Sequence, residues 1–141
     1  MADEETGVEN MRKLLGQVFA PWVQQLGIEP IEKKLSGALF VVPANTDLER
    51  AGGILCGQAI SAIADTVGVL TLGAHNEPFR LMTTVDMTTH FMRPVMSGAV
   101  EVECTILSNG RRMATLRMDF RTQGSPKILA SATCAYAYIE E

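Results

Sequence analysis

Between Ala51 and Ala74 the chain carries a single charged residue, Asp65, within the run CGQAISAIADTVG from Cys56 to Gly68. An ionised carboxylate is costly to desolvate, so one set in an apolar run is paired, neutralised or used in chemistry. It reads either as a structural acid satisfied by a basic side chain or backbone donor, or as a general base or nucleophile. No Lys or Arg lies on the same segment to support the first reading. Cys56 with His75 or His90 would supply a thiol nucleophile, but the three are scattered with no motif spacing. The remaining cysteines, Cys104 and Cys134, lack zinc or redox spacing as well, so all three read as reduced, small apolar residues, and no cluster suits a metal. From residue 105 to 139 five basic residues, Arg111, Arg112, Arg117, Arg121 and Lys127, stand against one acid, Asp119. That excess suits a phosphate-bearing ligand or, equally, a solvated hairpin face. Eight methionines, among them Met82, Met87, Met92, Met96, Met113 and Met118, suit an adaptable apolar lining or plain core filling.

The elements that must position these groups fit one domain over residues 1–141, a length that buries a core without disulfides or metals. With 47% hydrophobic and 20% charged residues and a net charge of −4, the composition is that of a soluble globular protein. The negative balance and the lack of a basic stripe with interleaved aromatics exclude nucleic acid as a partner. The acidic start MADEETGVEN is unlike a secretory leader, and with the reduced cysteines it points to the cytoplasm. The low-charge run has membrane length, yet Gln58, Ser61, Asp65, Thr66 and several glycines make it a poor spanning helix and a better core helix.

Val8, Met11, Leu15, Val18, Trp22 and Leu26 recur at helical spacing and predict an N-terminal helical segment over residues 1–27, kinked or split by Pro21 and closed by Gly27. Two short strands follow, IEPIEKKL and ALFVVP, with Ser36-Gly37 between them, then a loop ANTDLERAGG. The central helix, over residues 54–73, has no polar face and must be surrounded on nearly all sides. Beyond it, strict alternation predicts a strand with Leu81, Thr83, Val85, Met87, Thr89 and Phe91 on one face and Met82, Thr84, Asp86, Thr88, His90 and Met92 on the other. Pro94 ends it. Alternation also predicts strands over residues 99–108 and 111–122 joined by a two-residue hairpin at Asn109-Gly110, and a last strand from Lys127 to Ile139. Helix, two strands, buried helix and four strands give an α+β hotdog fold, an antiparallel sheet wrapped around a long buried helix.

These residues resemble the hotdog-fold acyl-CoA thioesterases of the phenylacetyl-CoA type. In that family the buried helix opens with a His-Gly-Gly turn and carries an Asp further along, often in Ala-Asp-Thr. Leu55-Cys56-Gly57-Gln58 stands at the turn and Ala64-Asp65-Thr66 at the matching spacing; Thr84-Val85-Asp86-Met87, running on to Phe91-Met92-Arg93-Pro94, resembles the strand after the helix. The resemblance covers roughly residues 45 to 139. The chain departs from it at Cys56 for His, Gln58 for the second Gly, and Arg50 where many members have Asn.

The resemblance implies an acyl-CoA substrate cleaved to free acid and coenzyme A, with no metal or redox cofactor. Backbone N–H groups at the helix start, around Gly57, would polarise the thioester carbonyl; Gln58 would add a side-chain amide or else face solvent. Asp65 would act as base or nucleophile, and Thr84, where the family often has a hydroxyl, would hold the attacking water. Arg93, Arg111 and Arg112 are candidates for the coenzyme A phosphates. Gly57 and Asp65 are eight residues apart, about 12 Å along a helix, too far to touch one thioester. Two helices meeting antiparallel across a twofold axis would bring Gly57 of one subunit to Asp65 of the other, and the resemblance implies such a homodimer, or a dimer of dimers. A hotdog hydratase would need a His paired with a carboxylate at the helix, and no His lies within residues 54–73; a non-catalytic acyl-CoA or lipid-binding module remains the alternative.

Overall fold

Because the segment after Cys56 has no polar face, its helix has to be enclosed, and the computed structural model, which describes residues 2–139, encloses it. Helix α3 spans Gly57–His75 and buries Ala59, Ile60, Ile63, Ala64, Val67, Leu70 and Leu72. It is long and apolar enough to cross a membrane by length and composition, but 61% of that window is buried inside the protein. Two polar side chains in the buried stretch bond back to their own helix: Thr66 Oγ1 donates to the Ala62 carbonyl and Thr71 Oγ1 to that of Val67, both at 2.7 Å. Such back-bonding removes the cost of an unpaired buried hydroxyl.

Around α3 runs a six-stranded antiparallel sheet. Its strands are β1 (Glu29–Lys34), β2 (Gly37–Val42), β5 (Met82–Phe91), β6 (Val100–Asn109), β7 (Met113–Thr122) and β8 (Ala130–Tyr138), in the spatial order β1-β2-β6-β7-β8-β5. The alternating residues Phe40, Val102, Cys104, Leu116, Met118, Phe120, Ala132, Cys134 and Tyr136 are buried in one core with the helix. This is the hotdog arrangement expected from the pattern. At Gly37 a Cβ would fall against the Cys104 carbonyl, so the β2–β6 pairing there requires glycine.

Helix α1 (Ala2–Val18) and the single turn α2 (Pro21–Gln24) are separated just before Pro21, as expected, and Gly27 closes the segment at φ +74°. Residues 1, 140 and 141, the ends of the expected domain, lie outside the described residues.

Four expectations need correction. The central helix begins at Gly57, because Ile54–Leu55 forms a short strand β4 that pairs with β3 (Glu49–Arg50) in what was expected to be a loop. The hairpin tip is Arg111-Arg112 and not Asn109-Gly110: an extra residue, Leu107, interrupts the β6 register, and the Gly110 N–H closes onto the Met113 carbonyl. The last strand starts at Ala130, three residues later than expected. The fourth correction concerns β5. There Val85 is a bulge, with Thr84 opposite Tyr136 and Asp86 opposite Ala135, so the alternation reverses at that point. Met82 and Thr84 before it, and Met87, Thr89 and Phe91 after it, lie opposite the buried residues of β8 and share the helix-side face.

Candidate active site

The bulge at Val85 has a direct effect on the candidate groups. With uninterrupted alternation, Thr84 and Phe91 would face opposite sides of the sheet; the extra residue turns both toward α3. Thr84 Oγ1 donates to Asp65 Oδ1 at 2.6 Å. Seven residues on, the Phe91 ring stands over the start of the helix, 3.4 Å from where a Cβ on Gly57 would be. One strand thus reaches the carboxylate with one residue and the helix N-terminus with another.

The helix start is open to a ligand. Cys56 occupies the N-cap position and makes no side-chain capping bond, so the first-turn N–H groups keep their positive dipole end without a side-chain acceptor. Beside Gly57 is a cavity of about 350 Å³ lined by Ile54, Leu55, Ile60, Phe91, Met92 and Val95, with Arg50 and Arg93 also in its wall. An apolar hollow at a bare helix N-terminus suits an acyl group whose carbonyl oxygen is drawn to the amides.

Asp65 is half-buried, does not line that cavity, and meets Thr84 where the helix passes the edge strand. No Lys or Arg pairs with it among the described residues, so its partner is the Thr84 hydroxyl. A carboxylate held by one donor on Oδ1 keeps Oδ2 for water, and the Thr84 oxygen retains lone pairs to accept from the same water. Thr84→Ala is expected to lower kcat roughly tenfold, about the worth of one hydrogen bond to a charged group, as steady-state kinetics would show.

The remaining candidates divide. Gln58 is exposed and is not part of the cavity wall. Arg93 lies at the Phe91 end of β5, whereas Arg111 and Arg112 form the hairpin tip at the Met82 and Tyr138 end. These ends are about 30 Å apart along the strand, so one chain does not unite the three. Arg117 and Arg121 are spent elsewhere. Arg121 pairs with Glu103 at 2.9 Å and Glu101 at 3.7 Å, and Arg117 with Asp119 at 3.4 Å. Lys34 first, then Arg121, hold the Glu103 carboxyl below its usual value.

The methionines do not gather: Met92 lines the cavity while Met118 is core. The thiol alternative also dissolves. His75 ends α3, about 28 Å of helix from Cys56, with Nε2 against the Gly37 carbonyl at 2.9 Å. His90 points to the other face from Phe91, opposite Ser131. Burial pushes Cys104 up to about 12 and Cys134 up to about 11, so both stay thiols.

Residues 50–136 match the family described as the acyl-CoA thioesterase N-terminal domain. The chain belongs to this thioesterase family. It is 31% identical over 116 residues to a protein of Haemophilus influenzae named "Putative esterase", covering 82% of each. It is 34% identical over 73 residues to a Thermoplasma acidophilum protein of the same description, a match spanning 52% of this chain and 54% of that one. The chain therefore spans only about half the length of the second relative. Among solved structures it superposes on the H. influenzae thioesterase HI1161 with a TM-score of 0.82 at 25% identity, covering 94% of this chain and 90% of that one. The E. coli PaaI protein of the phenylacetic acid degradation operon gives a TM-score of 0.81 at 14% identity, with 97% and 96% covered, a likeness of fold alone. As a member of this thioesterase family, the chain is a hydrolase. The sequence named Phe91 only as a strand residue, with no role at the site, and did not single out Tyr136, whose hydroxyl donates to the Asp65 main-chain carbonyl at 3.0 Å. Only the unmarked bulge at Val85 reveals the first, and only tertiary packing reveals the second.

Proposed function

We propose that this hotdog hydrolase cleaves acyl-CoA thioesters in the cytoplasm, including arylacyl thioesters of the phenylacetyl type, at sites built between two subunits. The observation that carries the reading is the uncapped helix start at Gly57 opening into an apolar cavity of acyl-group size, with Arg93 in its wall for a phosphate. The acyl group lies in the cavity and its carbonyl oxygen takes hydrogen bonds from the first-turn amides. Asp65 of the other subunit either removes a proton from water as the water adds to the carbonyl, or adds itself and is released by water. In both routes the oxyanion is held at the helix start and the thiolate of coenzyme A departs, taking up a proton.

The subunit arrangement is supported by β5, which is an edge strand. It and its flanks expose Leu81 at 58%, Val85 at 55% and Phe91 at 54%, apolar side chains spread over both faces beside unpaired backbone groups. Such an edge is a template for a second strand. Antiparallel pairing of β5 with its twin, centred near Met87 and Thr88, sets Phe91 and Gly57 opposite the partner's Thr84 and the partner's Asp65. It also brings the partner's Arg111 and the partner's Arg112 to the end where Arg93 lies, uniting the three arginines that one chain separates.

The test is free-thiol release from short, medium, long and arylacyl-CoAs, with binding of the same compounds measured alongside. Turnover within the panel is expected. Binding of every compound with hydrolysis of none would replace this reading with that of an acyl-CoA-binding module.

A further inference from the structure

Resting on Asp65 as the working carboxylate, we infer that Tyr136 is a positioning residue that fixes Asp65 on Thr84. Tyr136 is the largest fully buried side chain in the protein and reaches across from β8 to α3. Its hydroxyl donates to the main-chain carbonyl of Asp65 at 3.0 Å. The same residue is the cross-strand neighbour of Thr84, whose hydroxyl donates to the Asp65 side chain. One rung of the sheet therefore grips one helical residue from two neighbouring strands, Tyr136 by its backbone and Thr84 by its carboxylate.

The fit allows little play. Gly68 lies above the ring: a Cβ there would collide with the Tyr136 hydroxyl and come within 2.8 Å of Cζ and 2.7 Å of the Met118 methyl. Glycine at this position lets the helix sit low enough for the hydroxyl to reach the Asp65 carbonyl. The bulge at Val85 falls next to this rung, so the strand bends where Thr84 must meet the helix. Burial, more than any neighbour, pushes the Tyr136 phenol up, so it remains a hydrogen-bond donor throughout the range in which the enzyme can be assayed. A small displacement of a reacting group can cost up to about a hundredfold in rate, which gives a remote hydroxyl its leverage.

The experiment compares wild type with Tyr136→Phe in kinetics and in crystal structures. Asp65→Asn is included to report on the carboxylate, and Phe40→Leu serves as a core variant on β2, three strands away from β8. Tyr136→Phe is expected to lower kcat roughly tenfold with KM unchanged, at every pH assayed, and to lengthen the Thr84 Oγ1 to Asp65 Oδ1 separation beyond hydrogen-bond range. Phe40→Leu is expected to lose Tm while keeping kcat. Gly68→Ala, which presses on the same hydroxyl from the helix side, should reproduce the Tyr136→Phe kinetics and serves in its place if that variant does not fold. Wild-type kcat in a folded Tyr136→Phe, or a lowered kcat with the Thr84–Asp65 bond intact, would overturn the inference. An inactive wild type, or an active Asp65→Asn, would instead overturn the catalytic reading, while a lengthened bond in Tyr136→Phe would still support the positioning role.

Discussion

Asp65→Asn is expected to lower kcat for acyl-CoA hydrolysis by roughly a thousandfold, within the range for loss of a general base, with substrate Kd and Tm close to wild type. The reason is local. The amide is nearly isosteric with the carboxylate, and its oxygen can still accept the Thr84 hydroxyl, so the contact at 2.6 Å survives in form. It cannot take a proton from water or attack a carbonyl. No cation pairs with Asp65 among the described residues, so neutralising it strands no buried partner charge. Thermal melting and isothermal titration separate the outcomes: a large loss of Tm would return Asp65 to a structural role.

The second large effect is expected from Gly57→Val, a loss of about a hundredfold or more, comparable with removal of an oxyanion donor. A single added Cβ would sit 3.4 and 3.6 Å from two atoms of the Phe91 ring. The branched side chain goes further, occupying the space through which a thioester carbonyl reaches the first-turn amides. The loss should appear in kcat/KM for every acyl chain length, because the obstruction is at the carbonyl and not along the acyl cavity. A loss confined to long chains would place Gly57 in the acyl wall.

The general architecture was legible because it follows from periodicity. A run with no polar face from Gly57 to His75 has to be enclosed, and four alternating strands after it can do the enclosing. Asp65 was legible for the complementary reason that a lone carboxylate in such a run is costly without a use. Bulges were not legible. Leu107 and Val85 each insert one residue, and period-two reasoning cannot see an insertion; the first moved the hairpin tip to Arg111-Arg112 and the second moved Phe91 to the helix face. Cross-strand pairing was equally hidden. Arg121 counted as free cation until Glu101 and Glu103, some twenty residues earlier, proved to be its neighbours across the β6–β7 pair. Tyr136 meets Asp65 from 71 positions away, and nothing short of the packed fold relates them.

The central claim, that each site takes Gly57 from one subunit and Asp65 from the other, is tested most directly by mixing two inactive variants. Asp65→Asn and Gly57→Val subunits are unfolded together, refolded at equal concentration and assayed for thiol release. Random pairing gives half mixed dimers, each with one site that carries both an intact Gly57 and an intact Asp65, so activity should return to about a quarter of wild type. A mixture no more active than its two parents would contradict the shared site and put the whole reaction within one chain.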